Sequence, residues 1–82
     1  MDNIFLSKKI SSGYSYQYLS DKTAIHREYI RKLIIKPGNH ENLEALILIG
    51  FYLGMNEREV KHEWTILRKE ELSRRVEEQA KS

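Results

Sequence analysis

The sequence predicts an all-α protein made of five short helices. Proline occurs once and glycine four times in 82 residues, so the two residue types that break helices are rare. No four consecutive residues alternate between apolar and polar side chains regularly enough to indicate a strand. Residues suited to helix N-caps recur just before apolar segments. We therefore expect a compact all-α domain whose helices are joined by connections of a few residues.

The first helix is expected to begin after Asn3, whose side chain can accept hydrogen bonds from the free amide groups of a first turn. It should end near Ser11, because Gly13 readily adopts the left-handed conformation that terminates helices. Its inward-facing residues are predicted to be Ile4, Phe5 and Ile10.

A second helix is expected over 16–22. Ser15 is well suited to cap it, because a serine hydroxyl accepts hydrogen bonds from backbone amides. Leu19 is its predicted buried residue. Thr23 and Ala24 then form a short connection to the next helix.

The third helix is predicted to run from His26 to about Ile35, where the Pro37-Gly38 pair ends it. One side of this helix is apolar and is expected to face the core. The other side carries long polar or charged residues, of the kind that contact phosphates and bases. These residues are His26, Arg27, Glu28, Arg31 and Lys32.

The fourth helix is the most apolar segment and is therefore predicted to lie at the centre of the core. Asn39 or Asn42 can cap it, and Gly54 ends it. Asn56 and Glu59 have the spacing of a capping box and open a fifth helix. The residues expected to be buried together are Leu19, Ile30, Leu33, Leu46, Leu53 and Trp64.

The fifth helix is expected to extend to about residue 78, because acids recur four residues before bases along it. The pairs are Glu57-Lys61, Glu70-Arg74, Glu71-Arg75 and Glu77-Lys81. Its apolar residues do not keep a heptad, which argues against a long coiled coil. The chain is thus divided into a domain over 1–67 and a charged helical extension over 68–82. A solvated tail and a short dimer contact are both open interpretations of this extension.

Composition and charge distribution indicate a cytoplasmic protein that meets phosphates. The net charge is +2, but residues 1–40 carry seven bases and three acids, whereas residues 57–82 are neutral. Cysteine is absent, which suits a reducing compartment. The longest apolar run, Leu43 to Met55, contains Glu44 and is too short to span a bilayer. We expect no metal, no cofactor and no membrane partner.

Motifs for catalysis are missing from the sequence. The three histidines lie on different segments, and His62-Glu63 is followed by Ile66 where a zinc-protease motif needs a second histidine. The chain has neither a Gly-rich phosphate loop nor a Gly-x-Ser-x-Gly elbow. We therefore predict that the protein is not an enzyme.

Residues 13–34, GYSYQYLSDKTAIHREYIRKLI, resemble the helix-turn-helix of the lambda-repressor/Cro-like (XRE) family. Residues 43–60, LEALILIGFYLGMNEREV, resemble that family's closing pair of helices, and the similarity covers roughly residues 4–64. The resemblance implies a compact five-helix lambda-repressor-like DNA-binding domain, here with an extended C-terminal helix. Residues 1–67 would be the helix-turn-helix domain, and its third helix would enter the major groove.

The resemblance also implies a function and roles for single residues. Arg27, Glu28 and Lys32 stand where family members touch base edges. The full DNA-binding set is Ser15, Tyr16, His26, Arg27, Glu28, Arg31, Lys32 and Lys36. The protein would be a transcriptional regulator that occupies a two-fold operator in double-stranded DNA as a homodimer. The expected dimer contact residues are Ile66, Leu67, Leu72 and Val76.

Two of the departures from the family pattern favour an alternative function. The connection after the second helix contains Ala24 where the family usually has glycine, and Tyr16 stands where it often has glutamine. A protein that keeps the fold but binds a protein partner, as an inhibitor or antirepressor, would tolerate both changes. The charged side of the third helix can also be read as an ordinary solvated face with a Glu28-Lys32 pair.

Overall fold

Five α-helices follow one another in the order that the sequence predicts. They are α1 (Ile4–Ser12), α2 (Tyr16–Thr23), α3 (Arg27–Ile35), α4 (Leu43–Tyr52) and α5 (Glu57–Lys81), with one turn of 3-10 helix, Pro37–Asn39, between α3 and α4. The computed structural model describes residues 2–81, and of Lys81 it describes the backbone alone. Residues 2–81 contain no strand. The predicted all-α, five-helix architecture is confirmed.

The predicted N-caps account for where the helices begin. The side-chain oxygens of Asn3, Ser15 and Asn56 accept hydrogen bonds from backbone amides two or three residues further on. Asn56 also donates its own backbone amide to the Glu59 carboxylate at 3.4 Å, which completes the capping box. Of the two asparagines suggested for α4, Asn42 is the cap, and the other lies in the preceding 3-10 turn.

One hydrophobic core joins all five helices. Its buried members are Phe5, Leu19, Ile30, Leu33, Ile34, Ala45, Leu46, Ile49, Leu53, Met55 and Val60. The predicted burial of Leu19, Ile30, Leu33, Leu46 and Leu53 is confirmed.

Two residues expected inside lie elsewhere. Ile10 is 59% exposed, because Phe5 takes the inward direction of α1 and a residue five positions later points about 140° away from it. Trp64 is half-buried at the rim of the core, where its indole Nε1 donates to the His40 carbonyl oxygen at 3.0 Å. A rim position suits an indole, because its N–H needs a polar partner.

The connection between α2 and α3 has an unusual backbone. Ala24 ends α2 in the left-handed conformation, with φ 60° and ψ 21°, and its amide donates to the Ser20 carbonyl oxygen at 2.8 Å. This conformation costs a residue with a Cβ about 1–2 kcal/mol. Thr23 was expected in the connection but belongs to α2, because its hydroxyl donates to the Leu19 carbonyl oxygen at 2.7 Å. Ala24 thus takes the left-handed conformation that glycine usually adopts in this turn, and the connection between α2 and α3 is tight.

Helix α5 continues without a break across residues 67 and 68 and ends three residues later than predicted. Two of its predicted ion pairs, with N–O separations of 3.3 and 3.4 Å, are Glu57–Lys61 and Glu71–Arg75. Arg74 contacts Glu71 rather than Glu70, because residues three apart are also neighbours on a helix. The predicted Glu77–Lys81 pair and Ser82 lie outside the described residues.

The first half of α5 holds the turn that follows α3. Arg68 donates to the carbonyl oxygen of Gly38 at 2.8 Å. Gly38 itself lies so close to α5 that an added Cβ would be 2.6 Å from the backbone oxygen of Leu67. From the other side, Asn3 caps the end of α3 by donating to the Ile34 carbonyl oxygen at 2.8 Å. These contacts fix the end of α3 relative to the rest of the molecule.

Replacing Gly38 by alanine should separate this turn from α5. The new methyl group would meet backbone rather than a flexible side chain, so the loss should be about 1–3 kcal/mol of unfolding free energy, as for other overpacked sites. Urea unfolding followed by Trp64 fluorescence measures it, with the exposed Ser73→Ala as control. An unchanged midpoint for Gly38→Ala would mean that α5 does not hold the turn.

Candidate nucleic-acid interface

The solvent face of α3 is strongly cationic. At 100° per residue, its exposed residues span about 140° of the helix surface, opposite the buried Ile30 and Leu33. The exposed residues are Arg27, Glu28, Arg31, Lys32 and Ile35. The exposed face of α3 thus carries three basic residues and one acidic residue. The polar side predicted for the third helix is present in the structure.

Ile35 is an apolar residue on this cationic face that the sequence reasoning did not single out. It is 40% exposed, and on the helix surface it lies about 20° from Glu28 and about 40° from Arg31. An exposed aliphatic side chain among bases could meet a thymine methyl group.

The first turn of α3 is held by a histidine. The Nδ1 atom of His26 accepts a hydrogen bond from the backbone amide of Glu28 at 3.2 Å, so His26 is the N-cap, and α3 begins one residue later than predicted. This contact requires a lone pair on Nδ1, which only the neutral ring has.

An ion pair modifies the charge of the α3 face. The guanidinium Nε of Arg31 lies 3.0 Å from the Glu28 carboxylate, in place of the Glu28–Lys32 pair considered from the sequence. The hydrogen bond from Arg31 and the attraction of its charge lower the pKa of Glu28. Glu28 is therefore a carboxylate at neutral pH and can only accept hydrogen bonds.

Two side-chain hydrogen bonds connect α2 to the exposed face of α3. Gln17 donates from its amide nitrogen to the Asp21 carboxylate at 2.9 Å, and its amide oxygen accepts from Arg27 Nη1 at 3.4 Å. The sequence reasoning missed Gln17 and Asp21. Their spacing of four residues is a signal for the first contact. The second contact depends on the angle between two helices, which no local pattern reveals.

The start of α2 lies beside these hydrogen bonds. Ser15 Oγ accepts from the backbone amide of Tyr18 at 3.0 Å. Tyr16 is half-buried against the core, and the Lys9 ammonium lies 4.3 Å from the centre of its ring. Lys9 is thus a further base beside the first turn of α2, and the sequence reasoning did not single it out. The face formed by the start of α2 and the exposed side of α3 is called the basic face below.

The remaining predicted residues lie away from that cluster. Lys36 is exposed at the far end of α3, about 14 Å from Arg27 by helical rise. On α5, Ile66, Leu72 and Val76 are exposed, whereas Leu67 packs against the protein's own core. Leu72 and Val76 share one side of α5, about 40° apart, and Ile66 lies about 80° from Val76. The four residues do not form one continuous stripe.

No three His, Asp or Glu side chains among the described residues come together in a way that could hold a metal ion. His26 caps α3, and the ring of His40 meets Tyr29 edge to face at 6.0 Å. In the part of the chain that the structure describes, no helix has the length and apolar character needed to cross a membrane. The absence of catalytic activity stays a prediction.

Comparison of the chain with models of protein families, with curated proteins and with solved structures gives no match. The resemblance to a helix-turn-helix family therefore rests on residues 13–34 and 43–60 of the sequence alone and stays a prediction.

Proposed function

We propose that the protein is a cytoplasmic transcriptional regulator that binds specific sites in double-stranded DNA and acts by occupying its operator as a repressor. The observation that carries this proposal is the cationic side of α3, held beside the start of α2 by a tight turn. A helix with this width of exposed polar surface fits the major groove. Base edges and phosphates are the ligands that its side chains suit.

Three residues are assigned to base edges. Arg27 can donate two parallel hydrogen bonds to a guanine, and Glu28 can accept from the amine of a cytosine. Lys32 lies further round the same face and can donate to a base acceptor. The other residues of the predicted set, which would contact phosphates or support the helix that does, are Ser15, Tyr16, His26, Arg31 and Lys36.

Gln17 is proposed to position Arg27 for its guanine. Its amide is oriented by Asp21, so its oxygen rather than its nitrogen faces the guanidinium. Gln17→Ala should lower the preference for a selected site over random duplex by about 0.5–1.5 kcal/mol, the net value of one hydrogen bond. Affinity for random duplex should stay the same. An equal loss on both DNAs would assign Gln17 to a phosphate instead.

The working form is proposed to be a homodimer. One helix-turn-helix reads only a few base pairs, and two copies about 34 Å apart would read a two-fold symmetric site one turn of duplex long. The exposed Ile66, Leu72 and Val76 of α5 are the contact residues that the sequence suggests, with Leu67 behind them.

A protein-binding module is the second candidate. It is favoured by Tyr16, whose ring is half-buried beneath the Lys9 ammonium rather than free at the surface. An inhibitor or antirepressor would use the same fold without meeting DNA. The two candidates differ in whether the basic face is the surface that is used.

Nuclear magnetic resonance of the labelled protein with random-sequence duplex at low salt tests the proposal. Amide signals of residues 15–17 and 27–36 should shift on titration, because these segments form the basic face. An absence of shifts at any duplex concentration, or shifts confined to α5, would overturn the proposal and favour the protein-binding candidate.

A further inference from the structure

A groove between α1 and the start of α5 lies apart from the basic face. Its volume is about 320 Å³, which is at the lower end of the range typical of sites for small molecules. Its walls come from α1, from the first two turns of α5 and from the turn before α5. Among the described residues, none of α2, α3 or α4 lines it. It is called the α1–α5 groove below.

The bottom of the α1–α5 groove is apolar. Ile4 is half-buried and packs against the hydrophobic core. Met55 is 3% exposed and belongs to that core. A methionine side chain is flexible, so it adapts to apolar groups of different shapes. These two residues can therefore take up the apolar part of a ligand.

Charged side chains of both signs surround the apolar bottom. The bases are Lys8 of α1 and Arg58 of α5, and the acids are Glu59 and Glu63. At 100° per residue, Arg58 and Glu63 lie about 140° apart, at opposite edges of the wall that α5 contributes. The groove thus carries two positive and two negative charges, with its most widely separated α5 residues of opposite sign.

The charges of the α1–α5 groove do not pair with one another. In the part of the chain that the structure describes, no carboxylate oxygen lies within 4.0 Å of a side-chain nitrogen of Lys8 or Arg58. The Glu59 carboxylate accepts from the Asn56 amide at 3.4 Å. On the same turns of α5 but outside the groove, Glu57 and Lys61 do pair, at 3.3 Å. The bases of the groove and Glu63 are therefore available to a ligand.

We propose that the α1–α5 groove binds a small zwitterion with an apolar side chain, of the class of the apolar α-amino acids. The carboxylate of the ligand meets Lys8 and Arg58, its ammonium group meets Glu63, and its side chain packs on Ile4 and Met55. A simple anion would be attracted by two charges of the groove and repelled by the other two, and so would a simple cation. A zwitterion is attracted at both of its ends.

The groove is connected to the end of α3, and the consequence for DNA rests on the proposed function. Asn3, which directly precedes Ile4, donates to the Ile34 carbonyl oxygen, and Arg68 of α5 holds the turn after α3. A ligand that joins α1 to α5 therefore ties together the two supports of α3. Random duplex should bind more tightly in its presence, because α3 then has less motion to lose. An unchanged DNA affinity would overturn this coupling.

Nuclear magnetic resonance of the full chain without DNA tests the site itself. L-leucine and L-phenylalanine should shift the amide signals of residues 4–8 and 55–63. Glycine lacks the apolar side chain, leucine amide lacks the carboxylate and isocaproate lacks the ammonium group. Each should bind about tenfold more weakly than leucine, because each loses one set of contacts. No shifts with either amino acid up to its solubility, or equal binding of leucine and isocaproate, would overturn the inference.

Matched variants on α5 locate the ligand. Arg58→Gln and Glu63→Gln should each weaken leucine binding about tenfold, the value of a hydrogen bond between charged groups. Lys61→Gln also removes one base from the start of α5, but outside the groove, and should leave binding unchanged. Circular dichroism controls for loss of fold. Equal losses by Arg58→Gln and Lys61→Gln would overturn the assignment. Leucine binding by a protein that binds no DNA would contradict the proposed function and support the groove as a site.

Discussion

Replacing Leu46 by alanine is expected to lower the free energy of unfolding by about 2–5 kcal/mol, which is a large part of the stability of a domain of this size. Leu46 is 1% exposed and lies in the middle of the core that joins all five helices. Its removal leaves a cavity that the neighbouring side chains cannot fill without losing their own contacts. Chemical unfolding followed by circular dichroism measures the effect.

Leu48→Ala is the matched control for that experiment. Leu48 has the same side chain on the same helix, but it is 42% exposed, so its truncation should cost well under half as much. Dilute protein keeps the comparison free of self-association. If the two variants unfold at the same denaturant concentration, the assignment of the inner and outer sides of α4 is wrong.

Arg27→Ala and Lys36→Ala are expected to weaken DNA binding in different ways. Arg27 is assigned to a guanine, so its loss should cost about 1–3 kcal/mol on a duplex selected by the parent protein and much less on random duplex. Lys36 lies at the opposite end of α3 and is assigned to a phosphate. Its loss should weaken both duplexes alike and reduce the dependence on salt.

Fluorescence anisotropy with the two duplexes separates these roles. Circular dichroism of each variant shows whether the fold is kept, which both exposed positions should allow. Equal losses by both variants on both DNAs would contradict the base-reading role of Arg27. They would leave α3 as a helix that binds the phosphate backbone without reading sequence.

The elements of the fold could be predicted because their signals are local. Asn3, Ser15 and Asn56 mark helix starts through hydrogen bonds that span only two or three residues. The apolar spacing of α3 fixed its buried side for the same reason. Ile10 was misplaced because the inward direction of a short helix is set by one large residue, Phe5.

The site could be predicted only in part. The exposed charges of α3 follow from its periodicity, but the Gln17–Arg27 contact depends on how α2 and α3 cross. The choice of Arg31 over Lys32 as the partner of Glu28 depends on side-chain geometry three or four residues apart. The sequence also did not predict that one side of α4 is exposed. A helix that is apolar on all sides is expected to be fully buried, but this chain has too few other helices to cover all sides of α4.

Binding to random duplex DNA at about 50 and 200 mM salt is the most direct test of a DNA-binding regulator. Arg27, Arg31, Lys32 and Lys36 offer about four phosphate or base contacts per copy, so affinity should fall roughly 100-fold over this range. The same titration with Arg31→Ala and Lys36→Ala together should give a shallower slope. Steep salt dependence that these substitutions reduce is the predicted result. No binding at either salt concentration, or binding that salt does not weaken, would contradict the account.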